Sequence, residues 1–231
     1  MEENVQAQTA TVKKKKPLRR RLLLLFLILM CILLLLFIVR DIYDIGARRS
    51  IAGIGDPVQK PVSGEKFLSS WGFDVKLTYE YEYEIEGLVV HTRRYFGPFS
   101  MADAISPMDV ALAWGKVAEK NTLIDFGWEH TKRALIVDAD PADDYEIKLI
   151  GGMDYVISHC SNNHLIPASF RVSHDIKKIR RGDHVKLKGY LVSAYGSRFG
   201  NSYAWETSTV RDDHGKTGCE IIYVTDVQFL E

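Results

Sequence analysis

The sequence predicts an α+β chain, mostly antiparallel in its strands, with one N-terminal transmembrane helix. Three observations predict it. Residues 22–39 are 18 consecutive apolar residues. Residues 75–85 alternate between apolar or aromatic and polar side chains. Residues 173–230 show short apolar runs punctuated by glycine turns.

At 1.5 Å per residue the apolar run makes a helix of about 27 Å, close to the hydrocarbon thickness of a bilayer. A helix satisfies its own backbone hydrogen bonds, so it crosses lipid without orphaned polar groups. Lys13, Lys14, Lys15, Lys16, Arg19, Arg20 and Arg21 stand directly before the run. Basic residues stay on the cytoplasmic side. The chain therefore divides into a cytoplasmic basic tail (1–21), a span (22–39), a linker (40–66) and an extracytoplasmic domain (67–231). The expected location is a bacterial inner membrane with the C-terminal domain in the periplasm, which makes the lipid bilayer the first partner. A cleaved signal peptide fits less well, because Arg40-Asp41-Ile42-Tyr43-Asp44 offers no small-residue cleavage site.

Charge separates the two parts. Residues 1–21 hold seven Lys/Arg and two Glu, a net of +5, and the remaining 23 basic and 28 acidic residues give −5. A mildly acidic outer domain is a poor candidate for nucleic acid, whose binding rests on phosphate neutralisation. Cys160 and Cys219 would lie in an oxidising compartment, either as a disulfide or as two buried thiols too far apart to bond.

Along the outer domain, Gly46, Gly53, Gly55, Pro57, Pro61 and Gly64 mark the linker. The period of two over 75–85 predicts a strand with Val75, Leu77, Tyr79, Tyr81, Tyr83 and Ile85 on one buried face. Glu86-Gly87 then suits a turn, with residues 88–95 returning as the antiparallel partner. Ser106-Pro107-Met108-Asp109 reads as a helix start, with Val110, Trp114 and Val117 as its apolar stripe. Short strands are expected at 129–137, 146–150 and 155–159. Asp138, Asp140, Asp143 and Asp144 lack the glycine bend and terminal glutamate of a calcium loop and read as a solvated turn. A helical turn at 175–179 leads through Arg181-Gly182-Asp183 to a strand at 185–192, where Gly189 marks a sharp bend. Further strands are expected at 205–210 and 221–227. This rhythm over 173–230 is similar to that of OB-like domains, which close five strands into a partly open barrel.

The best concentration of reactive side chains is His159, Cys160, Asn163 and His164. Adjacent His159 and Cys160 would point to opposite faces of a strand, and two ligands do not make a zinc site. Neither metal nor cofactor is expected. Cys160 with His159 or His164 could form a nucleophile pair if the two met within hydrogen-bond reach. The simpler account is that Asn162, Asn163 and His164 satisfy backbone groups in a turn before Pro167. Arg211 and Glu220 flank a hairpin turn at Asp213-His214-Gly215-Lys216, either as a salt-bridged pair or with Arg211 holding an anion at a barrel mouth. The binding candidates are thus Asn163, His164, Arg211 and Glu220.

Ser161-Asn162-Asn163-His164-Leu165-Ile166-Pro167-Ala168, the segment from Arg211 through Asp213 and Gly215 to Cys219-Glu220, and Pro107-Met108-Asp109-Val110-Ala111-Leu112-Ala113-Trp114-Gly115 together resemble uncharacterised bacterial single-pass membrane-anchored proteins. The resemblance spans most of residues 74–230 and implies no activity. The expected function is a non-enzymatic binding domain for an envelope protein or component; the alternative is a cysteine-dependent envelope hydrolase or transferase.

Overall fold

The computed structural model describes residues 18–210 and 219–231. The chain divides into two compact units, Met1–Gly46 and Ala47–Glu231.

The first unit holds helix α1, Leu18–Gly46, which contains the whole apolar run. Its described leucines and isoleucines are exposed, Leu25 at 62% and Ile38 at 44%. The side chains of 18, 19, 37 and 40–46 lie outside the described residues. Among the described residues no helix is long and apolar enough to cross a membrane. Lys13 to Lys16 also lie outside the described residues.

The second unit is mixed α+β with mostly antiparallel pairing. In chain order it comprises β1 (Val58–Pro61), β2 (Glu65–Ser70), β3 (Phe73–Arg94), α2 (Met101–Ile105), β4 (Met108–Ala113), α3 (Gly115–Lys120), β5 (Phe126–Thr131), β6 (Ala134–Ala139), α4 (Asp144–Ile150), α5 (Gly152–Ser158), β7 (Cys160–Pro167), α6 (Phe170–Ile176), β8 (His184–Arg198), β9 (Asn201–Trp205) and β10 (Cys219–Leu230). Five of these strands close a ring in the order β3-β4-β7-β10-β8 and back to β3. Among the described residues only β7 and β10 pair in parallel. Three of the five ring strands precede residue 173, so the ring is a device of the whole domain and not of its last third.

Neighbouring residues on single strands join different apolar clusters. Leu165, Leu191 and Ile222 belong to one, and Ile166, Val192 and Ile221 to the other. Successive side chains point to opposite faces, so the two clusters lie on opposite faces of the sheet. The larger draws on all five ring strands, including Ile85, Val110, Leu165, Leu187 and Ile222 inside the ring, and extends to the outer face of β4 at Ala111 and Ala113, where Phe126 and Trp128 of β5 join it. The second lies outside, where Met101 and Ile105 of α2 cover Phe73, Val75 and Leu77.

β3 corrects two expectations. It has no turn at Gly87: the strand is continuous over 22 residues. Gly87 is there for space, because a Cβ would stand 2.9 Å from Leu112 Cβ on β4. Nor does the stripe over 75–85 face one way. A bulge between Tyr79 and Tyr81 shifts the register against β8. Val75, Leu77 and Tyr79 consequently pack on the outer cluster, and Tyr81, Tyr83 and Ile85 on the inner one. One extra residue reverses the side-chain phase.

Other local expectations also change. Residues 108–113 form a strand and not a helix, every residue buried; a short, wholly buried run does not reveal its period. Residues 146–150 and 155–159 fall in or at the end of helices α4 and α5, not in strands. The segment 160–167 is the buried strand β7 and not a turn. The strand expected at 205–210 lies earlier, at β9. Of the four aspartates only Asp140 and Asp143 stand in a turn, a short 3-10 helix over Pro141–Asp143 in which Asp140 caps Ala142 N–H and Asp143 accepts from Asp125 N–H, while Asp138 belongs to β6 and Asp144 opens α4. Arg181-Gly182-Asp183 opens β8 as expected, with Gly182 at φ 89°. Gly189 pairs with Tyr83 on β3 and Val224 on β10, and a Cβ there would collide with the Tyr223 carbonyl oxygen. Residues 47–56, within the expected linker, are held to the domain. Arg48 donates to the Asn121 and Ile124 carbonyls, Ile54 is buried, and Asp56 accepts from Trp114 Nε1 at 2.9 Å.

Gly87→Ala should destabilise the domain by about 1–3 kcal/mol through overpacking against Leu112, measured as a lower urea midpoint. Leu112→Gly removes the Cβ that Gly87→Ala would meet, so in a double-mutant cycle Gly87→Ala should cost less in the Leu112→Gly background than in the wild type; an unchanged cost would sink the steric account.

Candidate functional site: a buried polar network on the ring's outer face

The β5–β6 hairpin turns through Lys132 and Arg133, both at positive φ (49° and 65°). Two-residue hairpin loops need that conformation to match strand twist. The turn aims Arg133 at the outer face of the ring. Its guanidinium lies 2.8 Å from Asp103 Oδ1 and 2.8 Å from Asp109 Oδ1, and donates to the Ser106 carbonyl at 2.8 Å. The Tyr95 ring stacks beneath it at 3.7 Å. Asp109, on β4, is fully buried. Its Oδ2 accepts from Tyr95 O–H at 2.8 Å, and its Oδ1 lies 2.8 Å from Nδ1 of His164, its register partner on β7. Burial and the Asp109 charge hold the Tyr95 phenol well above its ordinary pKa.

A second chain of bonds runs beside the first. Asn162 Nδ2 donates to the Arg133 carbonyl at 2.8 Å, which fixes the amide orientation. Asn162 Oδ1 therefore accepts from His130 Nε2–H at 2.8 Å. His130 Nδ1 is left as acceptor, 2.7 Å from His91 Nδ1. Arg93 donates to the His130 carbonyl. Burial is the main force lowering the His130 pKa, and the Asn162 bond opposes it.

The residues singled out from sequence are dispersed. His164 enters the network, 2% exposed. Asn163 points to the opposite face, donating to the Val110 carbonyl and to Ser161 Oγ. Its register partner on β10 is Glu220, 4% exposed. His159 sits at the C-cap of α5, its ring stacked 3.6 Å from Tyr155. Cys160 donates to the Ile157 carbonyl, and burial, aided by the Glu220 charge, pushes its thiol up to about 12. Cys160 and His164 are four residues apart on an extended strand, about 13 Å, so they are not brought together. Cys219 is opposite Asn162 and accepts from its Nδ2 at 3.4 Å. Neither Cys160 nor Cys219 is in a disulfide, so the possible bridge is not formed here: β10 sets Cys219 two residues along β7 from Cys160. Arg211 and the turn at 213–216 lie outside the described residues. Among the described residues no group of three or more His, Cys, Asp or Glu is placed to hold a metal.

Sequence reasoning missed Asp103, Asp109, Arg133, Tyr95, His130 and Asn162 as partners. Its one usable signal was a two-residue break, Lys132-Arg133, between the alternating runs 126–131 and 134–139. That break lacks the usual glycine or asparagine and so did not announce a hairpin. Chemically the network works as a latch. It satisfies the donors and acceptors of buried charges and ties the hairpin to β4 and β7.

Removing one member of a buried charge pair leaves the other uncompensated, at a cost of about 3–5 kcal/mol. Arg133→Ala should show that loss in urea unfolding, whereas Lys132→Ala should cost far less; equal effects would overturn the latch. His130 gives a pH signature. Its folded pKa is depressed, so the unfolded chain takes up a proton that the folded one resists. Stability is then full above about pH 6.5 and falls as pH drops toward the lower folded value. His130→Gln should flatten that decline.

No family model, no curated protein and no solved structure matches this chain.

Proposed function

We propose that this chain is a single-pass protein of a bacterial inner membrane, its N-terminus cytoplasmic and its folded domain periplasmic, acting as a non-catalytic binding module for an envelope protein or component. The anchor reading is supported by 18 uninterrupted apolar residues inside one helix and by seven basic residues before them. The ring is proposed to be an OB-like barrel. Five closing strands, one parallel pair and a helix, α6, between the third and fourth ring strands support this. Barrels of this kind bind diverse ligands, so the fold alone names none.

The observation that carries the binding reading is the state of the reactive side chains. Cys160, the nucleophile of the enzymatic alternative, is buried with its thiol pushed up to about 12 and lies far from His164. His91, His130, Asp103 and Asp109 are occupied in bonds that hold the hairpin, and His164 lies against Asp109, 2% exposed. The outer sheet instead offers an open cleft of about 840 Å³, lined by Phe67, Lys76, Tyr195 and Tyr203 among others. A shallow aromatic surface with a few polar groups is the chemistry of recognition.

With a thiol at about 12, roughly one Cys160 in ten thousand is thiolate at pH 8. Alkylation of the native chain should therefore spare Cys160 until denaturant is added. Rapid native labelling, or a turnover lost in Cys160→Ala with the fold intact, would favour the enzyme. A C-terminal alkaline phosphatase fusion should be active if the domain is exported, and a fluorescent protein that matures only in the cytoplasm should stay dark; the reverse pattern rejects the topology.

A further inference from the structure

Four aromatic side chains from three chain segments stand in solvent around one recess. Trp71, in the β2–β3 turn, is 67% exposed; Phe96 and Phe99, in the loop after β3, are 80% and 89% exposed; Phe170, opening α6, is 90% exposed. The recess, about 650 Å³, is lined by Trp71, Phe96 and Gly97, with Arg94, Lys177 and Ser173. The Phe99 ring lies 3.1 Å from where a Gly97 Cβ would stand, so it borders the same opening. Phe170 is one helical turn from Ser173 and shares its face. Trp71 is held at φ 51°, a conformation a bulky residue adopts only where its surroundings impose it.

Charge distinguishes this recess from a plain apolar patch. Arg94 and Lys177 are both exposed cations, and the Arg94 guanidinium donates to the Lys177 carbonyl, which holds the two side by side. The one carboxylate in the lining, Asp103, is taken by Arg133 at 2.8 Å. In a domain that is acidic overall, this lining therefore presents positive charge among aromatics.

We infer that this rim docks on an anionic bilayer surface, the four aromatics entering the interface while Arg94 and Lys177 meet headgroup phosphates. Tryptophan sits at the headgroup level, phenylalanine buries its ring at the headgroup–acyl boundary, and basic residues are drawn to anionic headgroups. A protein partner fits less well. Interface anchors tend to be Trp, Tyr or Arg seated in packed pockets, whereas three of these four are phenylalanines with no polar handle, projecting singly from separate loops. Docking by this rim needs no contribution from α1.

The full chain, reconstituted into vesicles, supplies its own probe. Trp71 is the exposed one of four tryptophans; Trp114 and Trp128 are buried and Trp205 partly so. The difference between wild type and Trp71→Phe therefore isolates its emission. In phosphatidylcholine vesicles carrying acyl-brominated phosphatidylglycerol, the Trp71 component should be quenched and shifted to the blue. Arg94→Gln with Lys177→Gln should lower the docked-to-free ratio about thirty-fold, from two lost cations. Phe99→Ser, at a site too exposed to matter for folding, should reduce quenching as well. Trp71 remaining open to aqueous iodide in the anionic vesicles would overturn the proposal and leave a protein as the occupant. Equal quenching in purely neutral vesicles whose phosphatidylcholine carries the acyl bromine would overturn it too. Co-flotation with neutral vesicles reports α1 separately, so failure of the rim and failure of the anchor are told apart.

Discussion

One strand has to serve two cores, and the bulge in β3 between Tyr79 and Tyr81 is what permits it. Before the bulge the strand packs Val75 and Leu77 on the outer cluster; after it, Tyr83 and Ile85 pack inside the ring. Without that extra residue an unbroken alternation would leave half the apolar side chains on the wrong face. The same strand pairs with β8 along one edge, and with β2, β1 and β4 along the other. Ring closure thus depends on a single 22-residue segment changing phase at the right place. Gly87 and Gly189 serve the closure by leaving room where neighbouring strands come close.

Closure leaves an outer face on β4 and β7 that is polar at Asp109, Asn162 and His164, and the hairpin covers it. Burying a carboxylate is costly unless it is paired and hydrogen-bonded. Both Asp109 oxygens have partners: Arg133 and His164 on one side, Tyr95 on the other. Arg133 reaches them only because the turn preceding β6 accepts positive φ at two consecutive residues. The backbone geometry of a two-residue loop is therefore coupled to the charge balance of a buried face. Such a network fixes one docking position for the hairpin, because displacing it strands several charges together.

Polar chemistry is thus spent on holding the fold, while apolar side chains are left in solvent. Trp71, Phe96, Phe99 and Phe170 are more exposed than a soluble surface favours, and cations lie between them. Histidines and cysteines drew attention in the sequence because of their chemistry. In the folded domain, the aromatic loops face outward and the chemically rich residues face inward.

Local periodicity and charge were enough to read the apolar helix and the basic stretch ahead of it. They also gave the strands at 75–85, 185–192 and 221–227, and the mixed, mostly antiparallel class. These are properties of neighbouring residues, and neighbours are all that periodicity reads. The strand at 108–113 stayed hidden, because a wholly buried run carries no period, and so did helix α5, Gly152–Ser158. The candidate site was legible only as residue types. His164 stood out, but Asp109, Arg133 and His130 did not, and Asn163 lies on the other face from His164. Those pairings belong to the folded chain alone, because contact between residues 55 positions apart, such as Asp109 and His164, is set by strand register. Register depends on where a bulge or turn falls, and a single residue there reverses which side chains meet.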